Sequence, residues 1–219
     1  YDVVVKDLNG CTKPGSTLVI NEPTPLVISS ENFTSSTCFE SNDGTITIVA
    51  NGGVSPYFYS IDGGMTYVEN GGIFTDLPVG IYTISVRDQN VCQTDGNTIT
   101  IIEPPQILID SLQVEQVTCN GYTDGSIRIF VSGGNAPYTY SIDGGLSFTN
   151  NGGLFTGLLP GNYVIAIKDA NDCIEFGTSV SIDEAFVISI DSETVTNISC
   201  NGLNDGTISV VASGGTPPY

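Results

Sequence analysis

The stretch CFESNDGTITIVANGGVSPYFYSIDGG at residues 38–64 returns as CNGYTDGSIRIFVSGGNAPYTYSIDGG at 119–145 and starts again as CNGLNDGTISVVASGGTPPY at 200–219. The offset, 119 − 38 and again 200 − 119, is 81 residues. The same step relates Cys11, Cys92 and Cys173, then Glu22, Glu103 and Glu184, then Tyr1, Tyr82 and Tyr163. A fixed period marks a tandem array, and a unit of this length suits a self-contained β-sandwich better than a solenoid turn.

Within one period, alternating apolar residues mark strands, and Gly, Asn, Asp and Pro mark the turns between them. The first full repeat reads as strand A over about 26–30 with an irregular continuation to Cys38, B over 45–51, C over 56–61, C′ over 65–69, E over 73–77, F over 81–88 and G over 97–102. Asp62-Gly63-Gly64 and Asp143-Gly144-Gly145 supply the positive φ angles of a tight hairpin turn, so C and C′ are expected to pair. The expected fold is therefore all-β: a tandem array of seven-stranded immunoglobulin- or fibronectin-III-like sandwiches. Residues 1–23 read as strands F and G of a preceding repeat, 24–104 and 105–185 as complete repeats, and 186–219 as strands A to C of a following one. Glu103-Pro104-Pro105 joins one repeat to the next without a flexible Gly/Ser linker, which predicts a stiff joint.

Composition limits what the array can do. The chain holds 26 Gly, 1 Met, no Trp and no His, and few strong helix formers. Five Lys and Arg oppose 24 Asp and Glu, and the net charge of -19 repels nucleic acid and anionic membranes. No apolar run is long enough to insert in a bilayer. The absence of His removes the usual general base, and Asp43, Asp62 and Asp88 sit beside Gly or Asn in turn contexts, so catalysis is not expected. The alternating Tyr57, Tyr59, Tyr138 and Tyr140 read as packing residues before they read as a sugar-binding ladder.

The segments Thr118-Cys119-Asn120-Gly121, Thr123-Asp124-Gly125-Ser126-Ile127, Ser132-Gly133-Gly134, Pro137 to Gly145 and Lys168-Asp169-Ala170-Asn171-Asp172-Cys173 resemble the SprB-type repeat. Asp172 replaces the glycine usual in that family before the cysteine. The resemblance implies an extracellular cell-surface filament of the kind found in giant adhesins of gliding Bacteroidota. It further implies export by the type IX pathway, traction by the gliding machinery, and contact with an external surface or polysaccharide. A lectin-like glycan-binding module and a non-motility surface fibre are the alternatives.

Four expectations concern particular residues. The chain requires no cofactor, but Asp43, Glu103, Asp169 and Asp172 are candidate Ca²⁺ ligands at the junctions between repeats, since hard oxygen donors without His suit that ion. Asp110-Ser111-Leu112 resembles the O-glycosylation motif used by Bacteroidota, which makes Ser111 a candidate glycan acceptor. The six cysteines lack the close spacing of a zinc knuckle and point to disulfides in an exported protein. Co-occurrence within a repeat suggests Cys38 with Cys92 and Cys119 with Cys173, whereas the seven-strand topology, placing Cys38 and Cys92 at opposite ends of a sandwich, favours Cys38 with Cys173 across a junction. Cys11 with Cys38, or free thiols, remains a third possibility.

Overall fold

A computed structural model describes residues 1–219, and every regular element in it is a strand. A hairpin of β1 (Asp2–Lys6) and β2 (Thr12–Thr17) comes first. The first complete repeat contains β3 (Val27–Thr34), β4 (Gly44–Asn51), β5 (Phe58–Ser60), β6 (Ile73–Leu77), β7 (Gly80–Arg87) and β8 (Gln93–Ile101). The second repeats this order as β9 (Leu108–Glu115), β10 (Gly125–Ser132), β11 (Thr139–Ser141), β12 (Leu154–Leu158), β13 (Gly161–Lys168) and β14 (Ile174–Ile182). A last hairpin pairs β15 (Ser189–Thr196) with β16 (Thr207–Ser213). The chain divides into two units, residues 1–36 with 40–103, and residues 37–39 with 104–219.

Each complete repeat is a β-sandwich of two three-stranded antiparallel sheets. In the first, β3-β4-β6 faces β5-β7-β8; in the second, β9-β10-β12 faces β11-β13-β14. The period-two pattern explains why: along β4, Ile46, Ile48 and Ala50 turn inward while Val49 stays exposed. They meet Ile84 and Val86 of β7 and Ile99 and Ile101 of β8 in one apolar cluster. Ile127, Ile129, Ile165, Ile167 and Ile182 build the corresponding core of the second repeat. Isoleucine is stiff at χ1 and packs well on a pleated surface, so both cores are filled largely with one residue type.

The expected strand C′ does not form, and each complete repeat has six strands instead of seven. Side chains capture the backbone that a ladder would have used. Asp62 accepts the Ser60 hydroxyl at 2.7 Å and the Thr66 N–H at 3.0 Å, and the Ser60 hydroxyl oxygen accepts the Gly64 N–H. Asn70 accepts the Gly72 N–H and donates to the Ile73 carbonyl. Between these locked turns only Tyr59 and Val68 pair, through two reciprocal N–H···O bonds of 2.9 Å. The chain therefore still doubles back after β5. Strand G also begins earlier than its alternation suggests, at Gln93, so that β8 starts immediately after Cys92.

A recurrent tyrosine closes the turn into the next strand. Tyr82 Oη donates to the Pro78 carbonyl at 2.8 Å, and Tyr163 Oη to the Leu159 carbonyl at 2.7 Å. The bond reaches back four residues, as in the tyrosine corner of immunoglobulin-like domains.

Two stability effects follow. Ser36 is buried and its hydroxyl has no hydrogen-bond partner, while the residue one period later, Val117, packs into the second core. Ser36→Val should raise stability by about 1 kcal/mol, because it removes an unsatisfied buried hydroxyl at a site where valine is accommodated; urea unfolding measures this. Hydrogen bonds from the Ser60 and Thr66 hydroxyls and the Thr66 N–H lower the Asp62 pKa from 3.8 to about 2. A depressed folded-state pKa means that the contribution is complete above about pH 4 and drains away as pH falls towards 2. The stability gap between wild type and Asp62→Asn should close across that window in acid titrations at fixed urea.

Candidate functional site

The sequence Asp-x-Asn-x-Cys occurs three times, as Asp7–Cys11, Asp88–Cys92 and Asp169–Cys173, each at the tip of a β-hairpin. Its geometry follows from the aspartate. The Asp88 N–H donates to the Cys92 carbonyl at 3.0 Å, and Asp88 Oδ1 accepts the N–H groups of Asn90 and Cys92 at 2.9 Å each. Its second oxygen accepts the Val54 N–H at 2.9 Å, which ties the hairpin to the Gly52-Gly53 turn. Asp169 does the same with Asn171, Cys173 and Asn135, at 2.8, 3.0 and 2.9 Å. Both carboxylates are buried. Burial opposes ionisation of Asp88, but backbone donors from Val54, Cys92 and Asn90 outweigh it and hold the pKa below the usual carboxylate value.

The fourth position of the motif lies in the left-handed region every time: Gly10 at φ 88°, Val91 at 66° and Asp172 at 63°. A glycine meets this requirement without steric cost, and valine meets it badly.

In the second unit, the hairpin of β13 and β14 carries a covalent partner. Cys173 and Cys38 form a disulfide with Cα atoms 5.7 Å apart, across a sequence separation of 135. Asn171 Nδ2 donates to the Thr37 carbonyl at 2.9 Å, so the motif's asparagine grips the residue beside the cysteine it faces. A cleft of about 370 Å³ adjoins the bond, lined by Phe39, Pro104, Pro105, Ile107, Asp169 and Ile174 among others. The within-repeat pairings Cys38 with Cys92 and Cys119 with Cys173 are not formed, and neither is Cys11 with Cys38: Cys11, Cys92, Cys119 and Cys200 are all free and exposed. The hairpin of β7 and β8 holds Cys92 against the Val54 turn through Asp88, while Cys38 lies in the segment that packs with the second unit.

The four candidate Ca²⁺ ligands do not gather. Asp43 accepts the Ser41 hydroxyl, Glu103 accepts the Glu40 N–H at 2.6 Å, Asp169 is engaged by three backbone donors, and Asp172 pairs with Lys168 at 3.0 Å. No group of three or more His, Cys, Asp or Glu side chains is placed to hold a metal ion. Ser111 is exposed on β9, opposite Phe130, and its neighbour Asp110 accepts the Ser132 hydroxyl at 2.7 Å. The tyrosines serve the cores: Tyr59 and Tyr140 are buried, and Tyr57 and Tyr138 donate to the carbonyls of Gly52 and Gly133.

Two residues escaped the sequence reading. The tyrosine corner was visible only as the recurrence of Tyr82 and Tyr163, and the motif's asparagine only as the recurrence of Asn9, Asn90 and Asn171. Periodicity flags such positions but does not say what they bond to.

A sequence model of the SprB repeat matches residues 30–66, 111–147 and 192–219. No curated protein matches the chain. Among solved structures, the C-terminal 282-residue fragment of intimin, determined in complex with the intimin-binding domain of the translocated intimin receptor, aligns at 13% identity with a TM-score of 0.39. That alignment covers 75% of this chain and 67% of the intimin chain.

The strained hairpin position gives a direct test. Val91 is 69% exposed, so Val91→Gly gives up little burial while relieving a left-handed backbone that costs an L-residue about 1–2 kcal/mol. Glycine's extra unfolded-state entropy offsets roughly 0.5–1 kcal/mol of this. A net stabilisation of about 0.5–1 kcal/mol is expected in chemical denaturation.

Proposed function

Because the chain is built of SprB-type repeats, we propose that it is a stalk segment of a long extracellular surface filament that carries load during attachment to an external surface. The parent protein in this reading is an adhesin of the cell surface, exported by the type IX route and, in gliding cells, moved by the gliding machinery. Its repeats run over 24–104 and 105–185. Ser111 belongs to the reading as an O-glycan acceptor, supported by its exposure on a strand face.

The observation that carries the proposal is the sequence separation of 135 between the bonded cysteines. Tension applied to the two ends of the chain passes from Cys38 to Cys173 through the sulfur atoms. Everything between them, from β4 through β13, is relieved of extension. A catalytic or signalling module has no use for such a shunt, whereas a tether under load does.

A specific observation weighs against the glycan-binding alternative, in which every repeat would present one shared site. A groove between the first and last strands occurs in both complete repeats, but its chemistry changes. In the first it is lined by Glu31, Thr94, Asp95 and Asn97; in the second, Leu112, Glu175, Phe176 and Thr178 stand in their places. Carbohydrate recognition by array would require those polar groups to recur.

Single-molecule stretching of the chain between its termini tests the load path. Reduction should add the contour of the 135-residue separation, roughly 450–490 Å at about 3.3–3.6 Å per residue. Equal contour lengths with and without reductant would remove the mechanical basis of the proposal.

A further inference from the structure

The bond between Cys38 and Cys173 is open to solvent along one side, and the side chains on that side carry one sign of charge. Both cysteines are half-buried and line the cleft of about 370 Å³ in the second unit. Three of the lining side chains are carboxylates, Asp169, Asp172 and Glu175, and none is basic. Lys168 is held by Asp172 at 3.0 Å, with its ammonium 5.3 Å from the centroid of the Phe148 ring, and Glu175 has no basic partner. Pro104 and Pro105, which form part of the wall, have no N–H to offer an anion.

Cutting such a bond is sensitive to charge because an external thiol acts as its thiolate. The thiolate attacks one sulfur, a new S–S bond forms, the Cys38–Cys173 bond breaks, and its electron pair leaves on the other Sγ. A second thiolate then attacks the sulfur of the first reagent and releases the remaining cysteine. Two thiols become one small disulfide, the protein cystine becomes two thiols, and the two protons given up by the reagents end on Cys38 and Cys173. Attack on Cys173 brings the thiolate beside Asp172 and Glu175, which line the same cleft. Attack on Cys38 expels the electron pair onto Cys173 Sγ, 3.4 Å from the Thr37 carbonyl oxygen and 4.0 Å from that of Asn171, and negative dipole ends disfavour a thiolate there.

We propose that this cleft is a charge filter for reductants of the Cys38–Cys173 bond. It admits thiols whose attacking form is neutral overall, the aminothiols, and resists those whose thiolate carries further negative charge, the glutathione class. An aminothiol's ammonium offsets its own sulfur and meets the carboxylates favourably, whereas every carboxylate on the reagent adds to the repulsion. The filter goes beyond the stalk reading and does not depend on it: it concerns what can open the bond, whatever the bond is for.

The charges that matter are those lining the cleft. Glu115 lies at the opposite end of β9 from Leu108, whose neighbour Ile107 lines the cleft, roughly 23 Å away at about 3.3 Å per residue. At an ionic strength of about 0.1 M the Debye length is about 10 Å, so Glu115 is screened from the bond and Glu175 is not. Under these conditions attack should slow about twofold for each unit of negative charge on the thiolate.

The experiment measures second-order rates of reduction in the intact chain after Cys11, Cys92, Cys119 and Cys200 have been capped with iodoacetamide. Each rate is divided by that of the same thiol with hydroxyethyl disulfide at the same pH, which removes differences in thiolate fraction and nucleophilicity. Cysteamine, 2-mercaptoethanol and glutathione supply attacking forms of increasing negative charge, and new thiols at Cys38 and Cys173 are labelled and read by mass spectrometry. The ratios should fall about twofold at each step near 0.1 M salt and converge at about 1 M, where the Debye length is about 3 Å. Glu175→Gln should raise the glutathione ratio several-fold while leaving the cysteamine ratio nearly unchanged, the second reading showing that the variant is folded. Glu115→Gln should change neither. Equal ratios for the three thiols would overturn the proposal, and so would Glu115→Gln acting as strongly as Glu175→Gln, which assigns the effect to the net charge of -19. Because no pulling force is involved, either result leaves the stretching experiment to be judged by itself.

Discussion

A carboxylate buried among backbone N–H groups fixes the part of this molecule that matters most. Asp88 and Asp169 each lie inside the fold with three N–H donors and no basic partner. An ionised group there would be expensive if unpaired, and is tolerated because each oxygen meets donors that are themselves fixed by the turn. The same bonds set the position of the cysteine four residues later and bind the hairpin to the Gly-Gly turn of its own repeat. The hairpin tip is therefore a rigid projection, and the place where its sulfur can bond is decided before any oxidation occurs.

The rest of the design distributes two tasks between the strands and the loops. Isoleucine-rich inner faces give each repeat its own core, so a repeat is held by burial that depends on no neighbour. The loops carry the polar work: Asp62 and Asn70 shorten a hairpin to a single paired position, Tyr82 closes a corner, and Asp88 presents a cysteine. Excess acidity fits this division. Five Lys and Arg stand against 24 Asp and Glu, and the carboxylates that close turns, Asp62, Asp88 and Asp169, are met by N–H and O–H donors instead of basic groups.

The long disulfide changes how such an array would respond to stress. A sandwich under tension normally resists by its hydrogen-bonded strands, which come apart one domain at a time. Here the bond between Cys38 and Cys173 spans more than a repeat, so the strands it encloses are spared while the peptide segments outside it are loaded. In the proposed load path, β3 and β14, which lie outside the bonded loop and supply Ile28 and Ile182 to the two cores, would bear tension, and reduction would add the enclosed strands to it.

The sequence alone determined the period, the strand content and most strand positions, because strict alternation such as Thr45 to Ala50 admits one burial pattern and Gly pairs with positive φ admit few turns. It also identified the six cysteines and the acidic residues worth asking about. Tertiary structure decided what those residues do. The C′ strand was lost because Asp62 and Asn70, neighbours in sequence to the expected ladder, compete for its backbone at short range. The pairing of Cys38 was open because separations of 54 (92 − 38) and 135 (173 − 38) residues are both easily closed by a chain, and only the packing of Thr37–Phe39 with the second unit selects one. No group of three or more candidate Ca²⁺ ligands is brought together: Asp43, Asp169 and Asp172 are held by partners in or beside their own turns, where local bonds form without the entropy cost of gathering distant groups, while Glu103 accepts the Glu40 N–H from 63 residues away.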